Sequence, residues 1–214
     1  PMEKTSLLEE LLALEEKERL KELRKLSEVE RKEFAYQWRL WARNAQLPPA
    51  AEWRIWLILA GRGFGKTRAG AEWVRAVAAQ DPEARVALVA ASLGEARTIM
   101  VEGDSGLLAV CPPLAYPDFE PSLRRLTWPN GAVATLYSAT EPESLRGPQH
   151  SHAWCDEIGK WDNAGERAVN AWDNLMLGLR LGETPQVVAT TTPRAVPLVR
   201  RLVAEADGDV AVTH

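Results

Sequence analysis

The run Ala60-Gly61-Arg62-Gly63-Phe64-Gly65-Lys66-Thr67 places glycines, a lysine and a hydroxyl at the spacing of a phosphate-binding loop. Glycines let successive backbone N–H groups converge on phosphate oxygens, and a helix opening there favours negative charge. Lys66 is spaced to reach the β- and γ-phosphates, and the Thr67 hydroxyl to ligate Mg²⁺. The first position of the G-x-x-x-x-G-K-[ST] pattern is Ala60, with Gly61 beside it. An acidic pair, Asp156-Glu157, follows His152-Ala153-Trp154-Cys155. In that setting the first carboxylate suits Mg²⁺ held through water, and the second suits orienting and deprotonating an attacking water. A kinase has no use for a water-activating carboxylate there, whereas a hydrolase does. Arg62, inside the loop, is placed to reach a phosphate in cis. Arg146, in Ser144-Leu145-Arg146-Gly147-Pro148-Gln149, sits in a loop and could serve its own site, a neighbouring subunit or a surface ion pair. The hydroxyls of Thr190-Thr191-Thr192-Pro193 close a strand-like run, where they could sense a γ-phosphate or simply suit strand geometry.

These residues need a scaffold, and the surrounding pattern supplies one. Ile55-Trp56-Leu57-Ile58-Leu59 reads as a strand leading into the loop, and residues 68–80 read as the helix leaving it. Further strands are expected at 85–90, 132–137, 153–155 and 186–190, with helices at 94–100, 165–181 and 196–206. Residues 103–131, dense in Pro and Gly, read as an irregular excursion. Strands alternating with helices predict a mainly parallel sheet covered on both faces, with ligands beyond the carboxyl ends of the strands. The loop, Asp156 and Thr190 all follow strands in this reading.

Ahead of that region, leucines 7, 8, 11, 12, 14, 20, 23 and 26 recur among charged residues, predicting one amphipathic helix over 6–26. Ser6 with Glu9, and Ser27 with Glu30, read as capping boxes, the latter opening a second helix to about Ala45. Pro48-Pro49 ends this part, giving a helical extension over 1–45 and an α/β domain over 46–214.

At 214 residues, 46% hydrophobic and 26% charged, the chain suits a globular domain with one small appendage. Its net charge of −4 argues against a surface coated for nucleic acid, so any DNA contact must be local. No run is long enough for a membrane span and no signal peptide is visible. Cys111 and Cys155 form neither a disulfide framework nor a metal site, and Cys155 reads as a buried thiol. His150 and His152 lack partners at ligand spacing, and Trp38, Trp41, Trp73 and Trp172 read as core rather than base-stacking residues. Arg124-Arg125 and Arg200-Arg201 are small basic clusters, too short to define a DNA surface. Pro1 before Met2 reads as a residue left by tag removal, and the strand-like 210–214 as the cut edge of a longer protein.

Taken in order, the segments resemble a known family. They are 53–57 leading into Gly61–Trp73, Leu126-Thr127-Trp128-Pro129-Asn130-Gly131-Ala132, Leu145-Arg146-Gly147-Pro148-Gln149-His150, 153–161 and Thr190–Arg194. The series resembles the large terminase subunits of tailed bacteriophages and the related packaging proteins of gene transfer agents, from about residue 28 onward. The resemblance implies a P-loop NTPase of the RecA-like (ASCE) type that uses ATP and Mg²⁺ to drive double-stranded DNA into a preformed capsid. By position, Lys66 and Thr67 match the Walker A residues, with Gly61, Gly63 and Gly65 around the phosphates. Asp156 matches the Walker B aspartate and Glu157 the catalytic carboxylate. Arg62 matches the loop arginine, and Arg146 an arginine proposed to act between ring neighbours. Thr190, Thr191 and Thr192 match the coupling motif, and Gln46 sits where the family often has an adenine-contacting glutamine. The implied partners are DNA, the portal protein, the small terminase subunit and other copies in a ring, usually of five. The implied setting is the host cytoplasm, with transient docking on the procapsid portal and no membrane; alone, the domain is compatible with a monomer. The family's C-terminal nuclease carries an acidic metal cluster, and nothing after residue 161 offers one, so no DNA cleavage is expected of this chain. Rival readings are a helicase-like DNA translocase, a small-molecule kinase and a nucleotide-binding assembly module. Intact Lys66, Asp156 and Glu157 count against the last.

Overall fold

The computed structural model describes residues 2–161, 166–206 and 208–214. The chain divides into two compact units, Pro1–Leu47 and Pro48–His214.

In the first unit the leucine-rich segment is broken into α1 (Met2–Ala13) and α2 (Glu16–Leu23). The single helix expected over 6–26 is therefore corrected. Its apolar stripe lapses between Leu14 and Leu20, and the break lets both segments contribute leucines to one small core around Leu11, Leu23, Leu26, Phe34 and Leu40. Arg19, in that lapse, is buried and donates to the carbonyls of Leu40 (3.2 Å) and Ala42 (3.0 Å). Because α1 starts at Met2, Ser6 lies inside it and is not its N-cap. Ser27 does cap α3 (Glu28–Glu33), exchanging hydrogen bonds with Glu30. The second long helix is also interrupted, by a turn after α3 that precedes α4 (Trp38–Trp41).

The second unit is built on β1 (Ile55–Leu59), α5 (Lys66–Gln80), β2 (Arg85–Ala90), α6 (Leu93–Glu95), α7 (Leu107–Val110), β3 (Asp118–Glu120), β4 (Arg125–Thr127), β5 (Val133–Ser138), β6 (His152–Cys155), α8 (Arg167–Gly178), β7 (Gln186–Thr191), α9 (Pro197–Ala204) and β8 (Val210–Thr213). The strands form one eight-stranded sheet in the order β3-β4-β5-β2-β6-β7-β1-β8. Pairing is parallel except at the β3–β4 and β4–β5 contacts. The excursion over 103–131 is thus not irregular. Its Pro and Gly residues punctuate a short helix and two strands that extend the sheet edge, each strand too short to show a periodic signal. The helix expected over 94–100 widens into a π-helical segment, Ala96–Val101. The start expected at Gly165 for α8 lies outside the described residues.

Alternation along the strands splits the core in two. Trp56, Ile58, Leu88, Trp154 and Val188 point to the α5 face, whereas Leu57, Val89, Cys155, Val187 and Ala189 point to the face covered by α8 and α9. Gly70 lets α5 lie on the sheet, since a Cβ there would fall 2.3 Å from the Trp154 indole. Strand β8 pairs with β1 and is pinned by Trp56 Nε1 donating to Thr213 Oγ1 at 2.9 Å. Among the described residues, no helix is long and apolar enough to cross a membrane. The ordering places β7 between the loop-bearing strand β1 and the acid-bearing strand β6, so all three end side by side.

Candidate active site

Leaving β1, the chain turns through Gly63 (φ 77°) and Gly65 (φ 86°), left-handed positions that a side chain would strain. Gly65 directly precedes α5, so the first turn of a helix faces the loop. Lys66 is buried and folds back across it. Its Nζ donates to the carbonyls of Ala60 (2.9 Å) and Gly61 (3.1 Å) and lies 3.2 Å from Glu157 Oε1. Arg62, Lys66, Thr67 and Glu157 line a cavity of about 480 Å³ together with Thr98, Ile99, Asp104 and Ser105.

The acidic pair leaves β6 through a turn in which Glu157 itself is left-handed (φ 47°). For a non-glycine residue this conformation costs on the order of 1–3 kcal/mol, and the surrounding hydrogen bonds hold it. Glu157 N–H donates to Thr190 Oγ1 (3.0 Å), Trp161 Nε1 donates to the Asp156 carbonyl (3.1 Å), and Lys160 N–H donates to the Glu157 carbonyl (2.7 Å). The three threonines divide the work. Thr190 donates to Asp156 Oδ1 at 2.8 Å, Thr191 accepts from Gly159 N–H at 3.1 Å, and Thr192 donates its hydroxyl (3.1 Å) and backbone N–H (3.2 Å) to the Glu157 carboxylate. Thr190 and Thr191 lie within β7 rather than after it, with Thr192 following. Gly159 is required here, because a Cβ would sit 2.6 Å from Thr191 Oγ1.

Burial pushes the Asp156 carboxyl up to about 6, against the Thr190 hydrogen bond. Burial also pushes Glu157 upward, but the Thr192 backbone N–H and the Lys66 ammonium outweigh it and hold this carboxyl below its usual range. Adjacent carboxyls are thereby set apart, one shielded and one ionised and facing the cavity. Arg146 is not part of this constellation. Its side chain is 74% exposed and lies 3.6 Å from Glu143, on a loop fastened to α8 by Asn174 donating to the Pro142 carbonyl. Gln46 belongs to the first unit, where its Oε1 accepts from Arg43 N–H at 3.0 Å.

A family profile described as terminase large subunit, T4likevirus-type, N-terminal, matches residues 57–207. The chain belongs to that family. The terminase fold is shared with solved structures of low sequence identity. The large terminase of a thermophilic bacteriophage, in complex with ADP, superimposes with a TM-score of 0.62 at 11% identity, covering 86% of this chain and 44% of that one. The ATPase domain of the Thermus phage P74-26 large terminase gives 0.58 at 13%, covering 82% and 73%. The N-terminal domain of the DNA packaging ATPase from bacteriophage phi29 gives 0.55 at 17%, covering 75% and 89%. This chain therefore spans less than half of the ADP-bound terminase. No curated protein matches it in sequence.

Several residues of this terminase site escape sequence reasoning. Trp161 is legible only as an aromatic near the acidic pair, and the lining at Thr98–Ser105 begins inside a π-helical segment that no pattern announces. The buried carboxyl of Asp156 has a measurable consequence. Its folded value near 6 exceeds the ordinary 3.8, so between these limits the folded chain holds the extra proton and gains stability as pH falls. Without Mg²⁺, Asp156→Asn should lose that gain, making thermal unfolding more acid-sensitive than wild type by about 2 kcal/mol from pH 6 to pH 3.8. Parallel stability–pH profiles would contradict the burial argument.

Proposed function

We propose that this chain hydrolyses ATP with Mg²⁺ and that the reaction powers translocation of double-stranded DNA into a procapsid. The observation that carries the reading is the Lys66–Glu157–Thr192 junction, where the phosphate loop, the acidic strand end and the threonine run meet within hydrogen-bond reach. Gly61, Gly63 and Gly65 shape backbone N–H groups around the phosphates, and Lys66 draws the γ-phosphate in. Thr67 and Asp156 are hard oxygen donors suited to Mg²⁺. The ion, when bound, neutralises charge on the phosphates. Glu157 orients the attacking water and accepts its proton, while Arg62 adds positive charge in cis.

Arg146, exposed on its own loop, is suited to a neighbour's site, giving a homo-oligomeric ring of five on the portal protein in the host cytoplasm. Double-stranded DNA and the small terminase subunit are the other partners, and the isolated domain can be monomeric. Thr190, Thr191 and Thr192 link the state of Asp156 and Glu157 to β7 and so couple hydrolysis to movement. Residues 46–214 are the ATPase domain and 1–45 its helical extension; DNA cleavage belongs to neither. Calorimetric titration with Mg²⁺–ADP tests the site. Lys66→Ala should weaken binding about tenfold or more, the loss of one buried charge-assisted contact, whereas equal affinity would overturn the assignment.

A further inference from the structure

The basic pair Arg200-Arg201 is too short in sequence to define a DNA surface, and the structure divides its two members. Arg201, on α9, is compensated: its Nη1 lies 2.8 Å from Asp173 Oδ1 and its Nε 3.2 Å from Glu205 Oε1. Arg200 is exposed and, among the described residues, has no carboxylate partner. The same holds for Arg194. These two line one surface groove with Leu59, Val199 and Val203, because the chain leaves β7 and enters α9 beside the end of β1. Lys160, also exposed, closes the turn Ile158–Lys160, which packs on α9. Arg194 rests against that turn, its Cβ and Cδ 3.4 Å from where a Cβ on Gly159 would stand.

Compensation is common elsewhere on this unit. Arg97, Arg124, Arg125 and Arg146 face Glu102, Glu141, Glu120 and Glu143. A chain of net charge −4 does not attract a polyanion as a whole, so an anionic partner is steered to clustered cations that no carboxylate offsets. An arginine uncommitted to carboxylates keeps its forks for phosphate oxygens, and the apolar floor of the groove carries the side-chain stems. Arg180 is exposed and unpaired among the described residues as well, but it lies apart from the groove, after α8, where its N–H donates to the His150 carbonyl.

We propose that Arg194 and Arg200, with Lys160 beside them, form the surface on which this chain holds the phosphate backbone of duplex DNA. This rests on the translocation reading and adds to it the place of contact, two residues beyond Thr192. Phosphates are held there and bases are not read, so affinity should be indifferent to sequence.

Fluorescence anisotropy with a short labelled duplex across a salt series tests this on the full chain, with Mg²⁺–ADP calorimetry on each variant checking the nucleotide site. Wild-type affinity should fall with salt, and equally for two duplexes of unrelated sequence. Arg200→Gln should lower the log–log salt slope by about 1, and Arg194→Gln combined with it by about 2. Arg201→Gln removes a compensated charge and Arg180→Gln an unpaired one elsewhere; both should leave the slope unchanged. ADP affinity should stay within about twofold throughout. Equal slopes for wild type and the double variant would overturn the proposal, as would the same drop in Arg180→Gln, the mark of diffuse attraction. Arg200→Gln decides alone if the double variant fails to fold. Stronger displacement of the duplex by poly-glutamate than by unlabelled duplex at matched charge would assign the groove to an acidic protein segment and overturn it too. Wild type that binds ADP but no duplex at low salt would remove both the surface and the translocation reading. Wild type that binds duplex but no ADP would remove the nucleotide site and leave the surface standing.

Discussion

Glu157→Gln is expected to reduce ATP turnover about 10³-fold, within the range for loss of a positioned general base, while leaving ADP affinity near wild type. Glutamine keeps the length of the side chain and can still accept from Thr192 Oγ1 and N–H. It cannot take a proton from water. The left-handed backbone at residue 157 is held by Thr190, Trp161 and the 157–160 turn rather than by the carboxylate, so the exchange should leave the turn intact. The pair with Lys66 is lost, which costs no nucleotide binding because Lys66 keeps the Ala60 and Gly61 carbonyls. Phosphate release and ADP calorimetry on the same preparation check this. Turnover within about tenfold of wild type would mean that another group activates the water.

The largest structural effect is expected at Gly70. A Cβ at this position lies 2.3 Å from Cε2 and Nε1 of Trp154, which is fully buried at the heart of the α5 face. Neither partner can yield cheaply, because the indole is enclosed and α5 is tied to the phosphate loop. Gly70→Ala should therefore destabilise by about 3 kcal/mol, the upper end of ordinary overpacking, or about 10 °C in Tm for a domain this size. Gly94→Ala is the control. Only Ser92 Oγ lies near its added methyl, at 3.8 Å, so its Tm should hold or rise slightly. Equal melting of both variants with wild type would remove the packing account.

How much of this was readable beforehand follows from what encodes each feature. The buried strands announce themselves as apolar runs bounded by turn residues, and β1, β2 and β7 fall close to their expected limits. The phosphate loop is legible because its chemistry constrains consecutive residues. Features set by contacts between distant segments were not. The break at Leu14-Glu15 arises because separated leucines find one core, which a helical period within the segment does not reveal. The 103–131 strands exist only as additions to the β5 edge. At the site, residue types pointed to Lys66, Asp156, Glu157 and the threonines, but not to the allocation of one hydroxyl to each neighbouring element. Nor could spacing show that, of the adjacent Arg200 and Arg201, only the second has an ion pair among the described residues.

Whether this site hydrolyses ATP is decided by Mg²⁺-dependent phosphate release, followed for wild type beside Lys66→Ala up to high protein concentration. Wild type should release phosphate in a way that needs Mg²⁺ and rises per chain as concentration brings copies together, and the variant should release none. Wild-type release no greater than that of Lys66→Ala at every concentration would contradict hydrolysis at this site.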